Sequence, residues 1–597
     1  MAKEKLILVH APSVYDFRKR ATLWGPIGDL VPSDTVFEMY PIGFTTMAEY
    51  LERHGHRVSI VNLAVRMLRD QGFDAEKLLA ALDPLAFGID LHWLPHAHGA
   101  LEVARLIKTL HPETPVIMGG ISASYYHEEL ITYPQVDYVL RGDSTEEPLR
   151  QLIEVLDAGA TSRELRQIPN LTWQDDAGTV HANALTWIPD HLDDILVDYS
   201  VVVNAVARER NLSNYLPFAK WTKYPITAAL TCRGCTRNCA ICGGSAYASR
   251  RIFGRSTPAY RSPEVVANDL RRISRFSRGP VFVLGDIRQA GMDYARRFLN
   301  AMQGFDEQVI IEFFWPVDRG FMEQVAAAIP NFVVELSPES HDPAVRRYSG
   351  KPFSDEAIEK SIEHVLAVGG QRMDLFFMSG MPGQTPKSVL DSIEYCRHLL
   401  RRFDGDERLK LFISPLAPFL DPGSLAFEKP EHYGYHKFCH TLEDHRRALL
   451  APSWKYVLSY ETRWMNRSEL VDSTYQAGLN LNRIKAEFGQ VSPERAQLTE
   501  ERIQLAIALM KRIDRLVESS EPGKLERKLL SLRDEIDEVN RSTVCEKEEL
   551  DLPISGMPVK FGQVLGLLIE DGFGNLRRWL GRDGKQIPVG ESERSLS

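Results

Sequence analysis

The chain contains two blocks in which short apolar runs alternate with amphipathic segments, and this alternation narrows its possible folds more than any other feature. In residues 1–160 the apolar runs have the length of strands, and the segments between them place apolar residues three and four apart, as helices do. The predicted strands are 6–10, 57–63, 85–89, 115–118 and 136–140, and the predicted helices are 46–54, 75–82, 97–110 and 146–156. Such alternation predicts an α/β domain with a parallel, doubly wound (Rossmann-like) sheet. Ligands of these sheets bind outside the carboxyl ends of the strands.

Small and flexible residues follow the fourth and fifth predicted strands. Glycine lets the backbone approach a ligand closely, and Ser or Thr before a helix caps it while offering a hydroxyl group. The candidate binding residues in these two loops are Gly119, Gly120, Ser122, Gly142, Asp143, Ser144 and Thr145. Tight turns without any ligand would contain the same residues, so the loops alone leave both interpretations open.

A second block of alternation begins near residue 226. Its strand-like runs are 226–230, 281–284, 309–314, 332–336, 373–378 and 409–413, with helix-like runs such as 263–274, 356–368 and 387–400. Six βα units predict a (β/α)6 partial TIM barrel over 226–425, with its chemistry at the carboxyl ends of the strands. Before it, 161–225 is predicted to be a connector that contains a hairpin formed by 168–173 and 180–188. Residues 426–597 are predicted to form a mostly helical region.

Composition and charge exclude several classes of protein. The 597 residues contain 71 Lys+Arg and 81 Asp+Glu, a net charge of −10, and no long basic run, which argues against a nucleic-acid binder. No stretch approaches the roughly 20 apolar residues of a membrane helix. The apolar run at 6–9 is too short for a signal peptide and lacks a cleavage pattern. We therefore expect a soluble, cytoplasmic, multidomain protein.

Four of the seven cysteines lie in one short segment, as Cys232, Cys235, Cys239 and Cys242. Without a secretion signal a disulfide framework is not expected, so metal or redox chemistry is the leading interpretation. Structural zinc usually takes two cysteine pairs that are a dozen or more residues apart. Four thiols in one loop favour an iron–sulfur cluster, with zinc as the lesser alternative.

The spacing Cys235-x3-Cys239-x2-Cys242 resembles the cluster motif of the radical SAM superfamily. The resemblance implies that these three thiolates hold a [4Fe-4S] cluster whose open iron binds S-adenosylmethionine (SAM). Reductive cleavage of SAM then yields a 5′-deoxyadenosyl radical. Cys232 lies outside the triad, and we expect it to be an incidental small residue, with a displaced ligand as the alternative.

Three later strand ends extend this resemblance. Gly285-Asp286 stands where the family contacts the SAM amino group, although the usual Gly-Gly-Glu is absent. Ser337 and Glu339 match residues that reach the ribose and methionyl groups, and Gly380 and Pro382 match the motif beside adenine. Each stretch could be a simple turn. Their order and spacing after the cysteines favour the family.

The N-terminal block resembles the cobalamin-binding domain of B12-dependent radical SAM proteins, and the combined resemblance covers roughly residues 1–425. It includes 41–43 at the first helix, Gly119-Gly120, and the 142–146 loop, and the last two would line the cobalamin tail and corrin edge. The first cysteine of the chain is Cys232, so this domain cannot hold a second cluster on thiolates, as methylthiotransferases do.

One departure concerns the lower face of the cobalamin. The Asp-x-His-x-x-Gly motif of methionine-synthase-type domains is absent from the first βα loop, which predicts base-off cobalamin without a histidine ligand. Asp90-x-His92 resembles the motif but follows the third strand, and we interpret it as coincidence. Arg66 or Arg69 could approach this face, although a solvated helix face is the favoured interpretation.

The resemblance implies a radical SAM enzyme with three cofactors: a [4Fe-4S] cluster, SAM and cobalamin. The leading functional hypothesis is C-methylation of an unactivated carbon by way of the 5′-deoxyadenosyl radical and methylcobalamin. A ring-forming or rearranging reaction without methyl transfer is one alternative, and a non-catalytic cobalamin or Fe–S sensor is another. The expected partners are an electron donor such as ferredoxin or flavodoxin and a small-molecule or lipid substrate. No individual catalytic side chain is predicted.

Two C-terminal features leave alternatives open. Trp454, Tyr456, Tyr460 and Trp464 recur in a predicted helical segment, where core packing is favoured over a substrate wall. The amphipathic stretch 561–580 is predicted to be a docking helix, and peripheral contact with a membrane is the alternative.

Overall fold

The computed structural model describes residues 4–29, 34, 36–554, 556–560 and 562–563. The amphipathic helix predicted at 561–580 lies outside the described residues, apart from two positions. Across the described part of the chain, no helix is long and apolar enough to cross a membrane.

The N-terminal part is built on a seven-stranded sheet with the strand order β2-β1-β3-β4-β5-β6-β7. The strands are β1 Leu6–His10, β2 Val58–Asn62, β3 Ala86–Asp90, β4 Val116–Gly119, β5 Tyr138–Leu140, β6 Leu171–Gln174 and β7 Val180–Ala182. The first five are parallel, and their order reverses between β1 and β3, where doubly wound folds bind ligands. This confirms the predicted fold class.

The predicted hairpin forms, but it is shorter in its second strand than expected. Its strands β6 and β7 are antiparallel and extend the N-terminal sheet beyond β5. The helices of this N-terminal part are Ile42–Arg53, Leu63–Arg69, Ala75–Ala80, Ala97–Leu110, Ile121–Tyr125, His127–Leu130, Glu146–Asp157, Ser162–Leu165 and Ser200–Glu209. The apolar faces of these helices pack on the sheet. Strands β1, β2 and β3 are therefore buried along their whole length.

The central part is a six-stranded parallel sheet whose strands follow one another in chain order, as a partial barrel requires. They are β8 Thr227–Leu230, β9 Val281–Leu284, β10 Val309–Phe313, β11 Phe332–Glu339, β12 Arg372–Ser379 and β13 Leu409–Pro415. The helices of this part are Ala246–Phe253, Pro263–Ser274, Met292–Ala301, Arg319–Ala328, Pro343–Ser349, Asp355–Ala367 and Pro386–Arg402.

Strand β11 runs three residues further than predicted. Its pairing with β12 shifts register between Leu336 and Glu339, and Glu339 has a φ of +68°. An irregularity of this kind re-aims the side chains at a strand end.

The C-terminal region is mostly helical, as expected, and contacts both other parts. Its main helices are Leu442–Ala448, Arg467–Glu487, Pro493–Ser519, Pro522–Leu530 and Arg533–Asn540. Asp29 of the N-terminal part accepts hydrogen bonds from the backbone N–H groups of Thr543 and Val544, at 3.0 and 2.7 Å. Burial raises the pKa of Asp29 to about 6.

The four C-terminal aromatic residues are not all helical. Trp454 begins the short helix Trp454–Val457, whereas Tyr460 lies in a strand that pairs with Tyr435–Lys437. The helical placement of Tyr460 was wrong because this two-stranded ribbon depends on a partner that is distant in sequence. Trp454 and Tyr460 are fully buried, in agreement with the core-packing interpretation.

Candidate active site

A cavity of about 1040 Å³ lies between the N-terminal sheet and the barrel. One wall is formed by the loops after β3, β4 and β5, and the opposite wall by residues inside the barrel and at its strand ends, including Leu230 and Leu284. The connector and residues 547–552 close it further. The carboxyl ends of strands from both parallel sheets thus reach one space, which makes it the candidate active site.

The loop after β4 fits tightly against the loop after β3. Gly120 has a φ of +115°, and a Cβ atom on it would lie 2.6 Å from the backbone nitrogen of His92, so only glycine fits. Gly119 and Gly120 line the cavity. Ser122 is buried, and its backbone N–H donates to the carbonyl of His92 at 3.4 Å.

The loop after β5 divides its residues between the cavity and the barrel. Gly142, Asp143 and Thr145 line the cavity. Arg255 of the barrel donates from Nε and Nη2 to the two carboxylate oxygens of Asp143, at 2.5 and 2.9 Å. The same guanidinium reaches the hydroxyl of Ser144 at 3.3 Å. The side chains of Asp143 and Ser144 are therefore engaged with the barrel.

A second ion pair joins the same two parts. Arg233, in the cysteine loop, donates from Nη1 to Glu146 at 2.9 Å, and its Nη2 contacts the other oxygen. The hydroxyl of Thr46 also donates to Glu146, at 2.9 Å. Burial alone would raise the pKa of Glu146, but the charge and hydrogen bonds of Arg233 hold this pKa below its usual range.

Three histidines and Asp90 meet at the carboxyl ends of β1 and β3. The ring of His10 contacts Asp90 Oδ1 through Nδ1 at 2.9 Å, and its centroid lies 4.8 Å from that of His96. Although burial lowers the pKa of His10, the charge of Asp90 raises it above its usual value. His10 and His96 are buried, at 0% and 5% exposure, whereas His92 is exposed and lines the cavity.

Neither predicted arginine faces this space. Arg66 donates to Asn214 at 2.8 Å and stacks over Phe73, with its guanidinium carbon 4.6 Å from the ring centroid. Arg69 is exposed on the helix surface. The position of Arg69 agrees with the favoured interpretation of a solvated helix face, whereas Arg66 is half-buried and bound to Asn214.

The three cysteines of the motif lie in the irregular loop that follows β8. Backbone N–H groups point at two of the sulfurs: that of Arg237 donates to Cys235 Sγ and that of Gly244 to Cys242 Sγ, both at 3.3 Å. Cys239 lies between them in the loop. Hydrogen bonds to sulfur stabilise and tune cluster-bound thiolates, so this donor set fits an iron–sulfur cluster.

Within the described residues, no group of three or more His, Cys, Asp or Glu side chains is arranged to hold one metal ion.

Neighbouring segments fix the shape of the cysteine loop. The backbone N–H of Ala240 donates to Ser349 at 3.0 Å. Gly350 has a φ of +89°, and a Cβ atom there would lie 2.9 Å from the carbonyl oxygen of Asn238. The close approach of these segments requires glycine at position 350.

Asp421 links the cysteine loop to the loop after β3. Its Oδ2 accepts the backbone N–H of Gly243 at 2.9 Å, and its Oδ1 accepts Nε1 of Trp93 at 3.4 Å. Trp93 in turn packs edge-on against Phe37 and Phe419. The loop that bears His92 is thereby held against the barrel.

Cys232 has a different environment from the triad. It lies in a short antiparallel pair with Ala259–Tyr260, is buried, and its thiol is 3.6 Å from the carbonyl of Gly234. Burial raises the pKa of Cys232 to about 11. That environment suits the predicted incidental role, which stays a prediction.

Glu339, at the end of β11, forms a buried ion pair with a lysine that the sequence did not single out. Lys351 Nζ lies 2.5 Å from Glu339 Oε1 and donates to the carbonyl of Ser337 at 2.6 Å. The other oxygen of Glu339 is buried and has no hydrogen-bond partner among the described residues. An unsatisfied buried oxygen favours a polar ligand beside it.

Asp286, at the end of β9, is already engaged. Arg288 donates from Nε and Nη2 to its two carboxylate oxygens, at 2.9 and 2.7 Å, and the backbone N–H of Phe314 donates at 3.0 Å. Gly285 has a φ of +94° and packs on Thr231. The predicted contact with an amino group would share this carboxylate with Arg288.

The Gly380–Pro382 segment lies under the C-terminal region. The side-chain oxygen of Gln384 accepts the backbone N–H groups of Gly380 and Met381, at 2.9 and 3.1 Å. The hydroxyl of Tyr435 donates to the carbonyl of Gly380 at 2.9 Å, and Pro382 is buried. The backbone of this motif is thus fixed by both neighbours.

Acidic side chains lie inside the barrel. Glu335 and Asp374 line the cavity, and Asp374 pairs with Arg372 at 2.5 Å. Burial, together with the charges of Asp374 and Glu312, raises the pKa of Glu335 to about 8. The lumen therefore favours a neutral, protonated Glu335 near pH 7.

Sequence reasoning missed the side chains that join the domains, and it missed Lys351, which pairs with Glu339 inside the barrel. Arg233 lies inside the cysteine segment, and its charge next to the cluster motif was a signal that the sequence offered. Arg255, Lys351 and Asp421 had no such signal, since their partners are more than ten residues away in sequence.

Two family models match the chain: a B12 binding domain over residues 30–152 and the radical SAM superfamily over residues 230–396. These matches fall on the N-terminal sheet and on the barrel. The cofactors of these two domains are cobalamin and, in the barrel, SAM with its [4Fe-4S] cluster.

A curated relative and two solved structures are similar to this chain. The hopanoid C-3 methylase of Methylococcus capsulatus is 25% identical over 295 residues, which are 47% of this chain and 50% of that protein, so the match spans half of its length. The radical SAM methyltransferase TsrM from Kitasatospora setae, with cobalamin and a [4Fe-4S] cluster bound, matches with a TM-score of 0.53 and 16% identity, covering 74% of this chain and 84% of that chain.

The cobalamin-dependent radical enzyme OxsB, with aqua-cobalamin and SAM bound, matches over 98% of this chain and 82% of that chain, with a TM-score of 0.50 and 14% identity. This likeness of fold extends into the helical C-terminal region. A B12-binding domain and a radical SAM barrel thus occur in one polypeptide and line one cavity, so the chain has the domain organisation of B12-binding radical SAM proteins.

Proposed function

We propose that this enzyme is a cobalamin-dependent C-methyltransferase that acts on an unactivated carbon. The observation that supports this most is the single cavity, which is lined both by the strand-end loops of the B12-binding domain and by the barrel. When bound, SAM with its cluster supplies a carbon-centred radical and cobalamin supplies the methyl group. Similarity to the hopanoid C-3 methylase favours methyl transfer over other radical outcomes.

In this proposal the cysteine loop holds the cluster through Cys235, Cys239 and Cys242. The backbone donors to sulfur stabilise the thiolate form of the loop. Lys351 places a buried positive charge beside the loop and neutralises Glu339, whose free oxygen then accepts a hydrogen bond from bound SAM.

The remaining predicted SAM contacts have narrower roles. The hydroxyl of Ser337, at the end of β11, is available to SAM. The carbonyl of the same residue is already bound by Lys351. Gly380 and Pro382 form a fixed, flat surface for adenine, because their backbone is locked from both sides. Asp286 acts on the SAM amino group together with Arg288.

On the cobalamin side, Gly119, Gly120, Gly142 and Thr145 form the surface that approaches the cofactor. Ser122 supports this surface from below through its hydrogen bond to the loop after β3. Asp143 and Ser144 act indirectly: held by Arg255, they position the loop and orient the B12-binding domain over the barrel.

The substrate we propose is a small molecule or a lipid, with an electron donor such as ferredoxin or flavodoxin as protein partner and the cytoplasm as location. Apolar side chains such as Phe282, Ile310 and Phe376 line much of the barrel lumen. An apolar lumen suits a substrate with a large hydrocarbon surface.

The test uses anaerobically reconstituted enzyme with SAM that carries a deuterated methyl group and a chemical reductant. We expect release of 5′-deoxyadenosine and, with extracts of candidate substrates, a product that gains the labelled methyl. The variant C239A should lose both, whereas C439A, which changes a buried cysteine outside the motif, should retain them.

Other outcomes would contradict the proposal in different ways. Release of 5′-deoxyadenosine with a product that lacks the label would indicate a ring-forming or rearranging enzyme. Cofactor binding without consumption of SAM would indicate a sensor. Undiminished 5′-deoxyadenosine release by C239A would exclude the proposed role of the triad.

A further inference from the structure

We propose that the barrel lumen binds a protonated amine of the substrate between the carboxyl groups of Glu335 and Asp374. This rests on the proposed function, because the bound molecule is the substrate of that reaction. It narrows the substrate class to amphipathic amines, which carry a cationic nitrogen on a hydrocarbon body. It also gives a role to two acidic side chains that the predicted cofactor contacts leave unused.

The first support is that the two acids are neighbours on one wall of the cavity. Glu335 of β11 pairs in register with Asp374 of β12, and the two strands are parallel. Neighbouring strands lie about 4.8 Å apart, and residues in register project from the same face of the sheet. Both side chains line the cavity. Two carboxyl groups therefore stand side by side in the same space.

The second support is that these carboxyl groups have free oxygens. Among the described residues, Glu335 makes no hydrogen bond and no ion pair. Asp374 is 4% exposed, and its Oδ1 is bound by Arg372 Nε at 2.5 Å. No hydrogen bond reaches its Oδ2 in the described part of the chain. A buried carboxylate oxygen that lacks a donor favours a hydrogen-bond donor beside it.

The third support is a missing positive charge. The charged groups that face Glu335 are Asp374, Glu312 and Arg372. Arg372 is held by Asp374 and by the carbonyl of Asp551, to which it donates at 3.4 Å, so Glu335 has no counter-ion of its own. Burial and the two neighbouring acids raise the pKa of Glu335 to about 8. A cation supplied by a ligand would provide the missing charge.

The fourth support is the character of the walls. The rings of Phe282 and Phe376 and the side chain of Ile310 line the same cavity as the two acids. Aromatic faces attract organic cations, and apolar walls suit a hydrocarbon. Calcium and magnesium ions instead require a shell of six or more oxygen ligands. The combination of two acids with aromatic and aliphatic walls thus favours an organic ammonium group.

The position of the acids along β11 also restricts where the substrate reacts. Ser337 and Glu339, the proposed SAM contacts, lie two and four residues beyond Glu335 towards the carboxyl end of the strand. Two residues of a strand span about 7 Å. The amine would therefore bind deeper in the barrel than SAM, and the reacting carbon would lie several bonds away from the nitrogen.

The experiment is isothermal titration calorimetry of the full chain, reconstituted anaerobically with its cluster, SAM and cobalamin and kept without reductant. The probes are hexylamine, which is protonated at neutral pH, and hexanol, which has the same length and no charge. We expect hexylamine to bind at least about tenfold more tightly than hexanol, because a charged donor meets the acids. Without reductant there is no turnover, so binding is measured independently of methyl transfer.

A second measurement on the same protein follows the proton of Glu335. An ammonium group pairs with the ionised carboxylate, so binding near pH 7 should release a proton from Glu335. Titrations in phosphate and in Tris, whose ionisation enthalpies differ, detect this release. The affinity for hexylamine should also rise as pH rises towards about 8. Both readouts need no variant.

Two variants locate the site. E335Q keeps the shape of the side chain but cannot ionise, so it should bind hexylamine at least about tenfold more weakly and release no proton. E431Q is the matched control, because Glu431 is exposed and does not line this cavity, and it should bind as wild type does.

Three outcomes would overturn the inference. Hexanol that binds as tightly as hexylamine would show that the lumen selects no cation. Undiminished binding of hexylamine by E335Q would place the amine elsewhere, and wild type that binds no hexylamine would remove the site altogether. Retained hexylamine binding in an enzyme that transfers no labelled methyl would support the amine site and contradict the proposed function alone, so the two failures are distinguishable.

Discussion

Arg255 of the barrel clasps Asp143 of the B12-binding domain with two parallel hydrogen bonds, of 2.5 and 2.9 Å. The arginine side chain is 1% exposed and the aspartate 14% exposed, so this ion pair lies almost entirely inside the molecule. A bidentate pair fixes direction as well as distance. It therefore sets how the loop after β5 faces the barrel.

Removal of this arginine should destabilise the protein and weaken cobalamin binding. In R255Q the buried carboxylate of Asp143 loses its counter-ion, and we expect the free energy of unfolding to fall by about 3 kcal/mol. Denaturant unfolding and cobalamin titration measure the two effects. The matched control is R297Q, whose exposed pair with Glu264 should contribute nothing measurable. Equal behaviour of both variants would contradict the structural role of Arg255.

The cluster should depend on three cysteines and not on the fourth. C235A, C239A and C242A should each lose most of the iron and the visible absorption of the cluster after anaerobic reconstitution, because each removes one thiolate ligand. C232A should keep both, since the Cys232 thiol is buried beside Gly234. Loss of iron from C232A with retention in a triad variant would reverse the assignment.

Glu335 should make stability depend on pH. Its pKa is raised from 4.5 to about 8 by burial and by the neighbouring acids, so the folded protein holds a proton that the unfolded chain releases. Its contribution is fully present below pH 4.5 and is lost as pH rises through about 8. Each unit of pKa difference corresponds to about 1.4 kcal/mol.

In E335Q this loss should disappear, so the variant should gain stability relative to wild type between pH 5 and about 8. Thermal unfolding across this range measures the difference. The control E431Q changes an exposed glutamate and should follow the wild-type curve. A parallel pair of curves for E335Q and wild type would mean that Glu335 is ionised throughout.

Variants of the Lys351–Glu339 pair should separate the effect on stability from the effect on SAM binding. K351M leaves the Glu339 carboxylate buried without its counter-ion, so we expect a loss of about 3 kcal/mol in the free energy of unfolding, together with weaker SAM binding. In the double variant K351M/E339Q no uncompensated charge remains, and most of the stability should return.

SAM affinity, measured by equilibrium dialysis with reconstituted protein, should stay low in the double variant, because the oxygen that faces the ligand has been replaced. Recovery of both stability and affinity would show that Glu339 serves only the fold. Failure to recover stability would show that the pair is not the source of the loss.

Gly120 should tolerate no side chain. In G120A the new Cβ would meet the His92 backbone at 2.6 Å while the residue keeps a φ of +115°, so we expect a loss of at least about 2 kcal/mol and of cobalamin binding. The control G159A has a φ of +86° but no atom within 4 Å, so it isolates the conformational cost from the clash. Cobalamin titration should leave G159A unchanged.

Much of the fold follows from local sequence pattern. The limits of β1 and β9 are predicted to the residue, because each is a short, mostly apolar run, preceded by Lys5 in β1 and by Gly279-Pro280 in β9. The spacing of Cys235, Cys239 and Cys242 likewise predicts a radical SAM domain from the sequence alone.

What escaped prediction depends on partners distant in sequence. Tyr460 lies in a strand only because it pairs with Lys437 in the two-stranded ribbon. Lys351 and Arg255 look like ordinary surface residues until the fold brings acids against them.

The three links between the domains, Arg255–Asp143, Arg233–Glu146 and Trp93–Asp421, have a consequence for engineering. Each link has one partner on either side, and none lies in the connector. A B12-binding domain grafted from another enzyme would bring a sheet and a cofactor site but not the matching acids and indole. An exchange of domains would therefore also have to transfer the residues that form these three links.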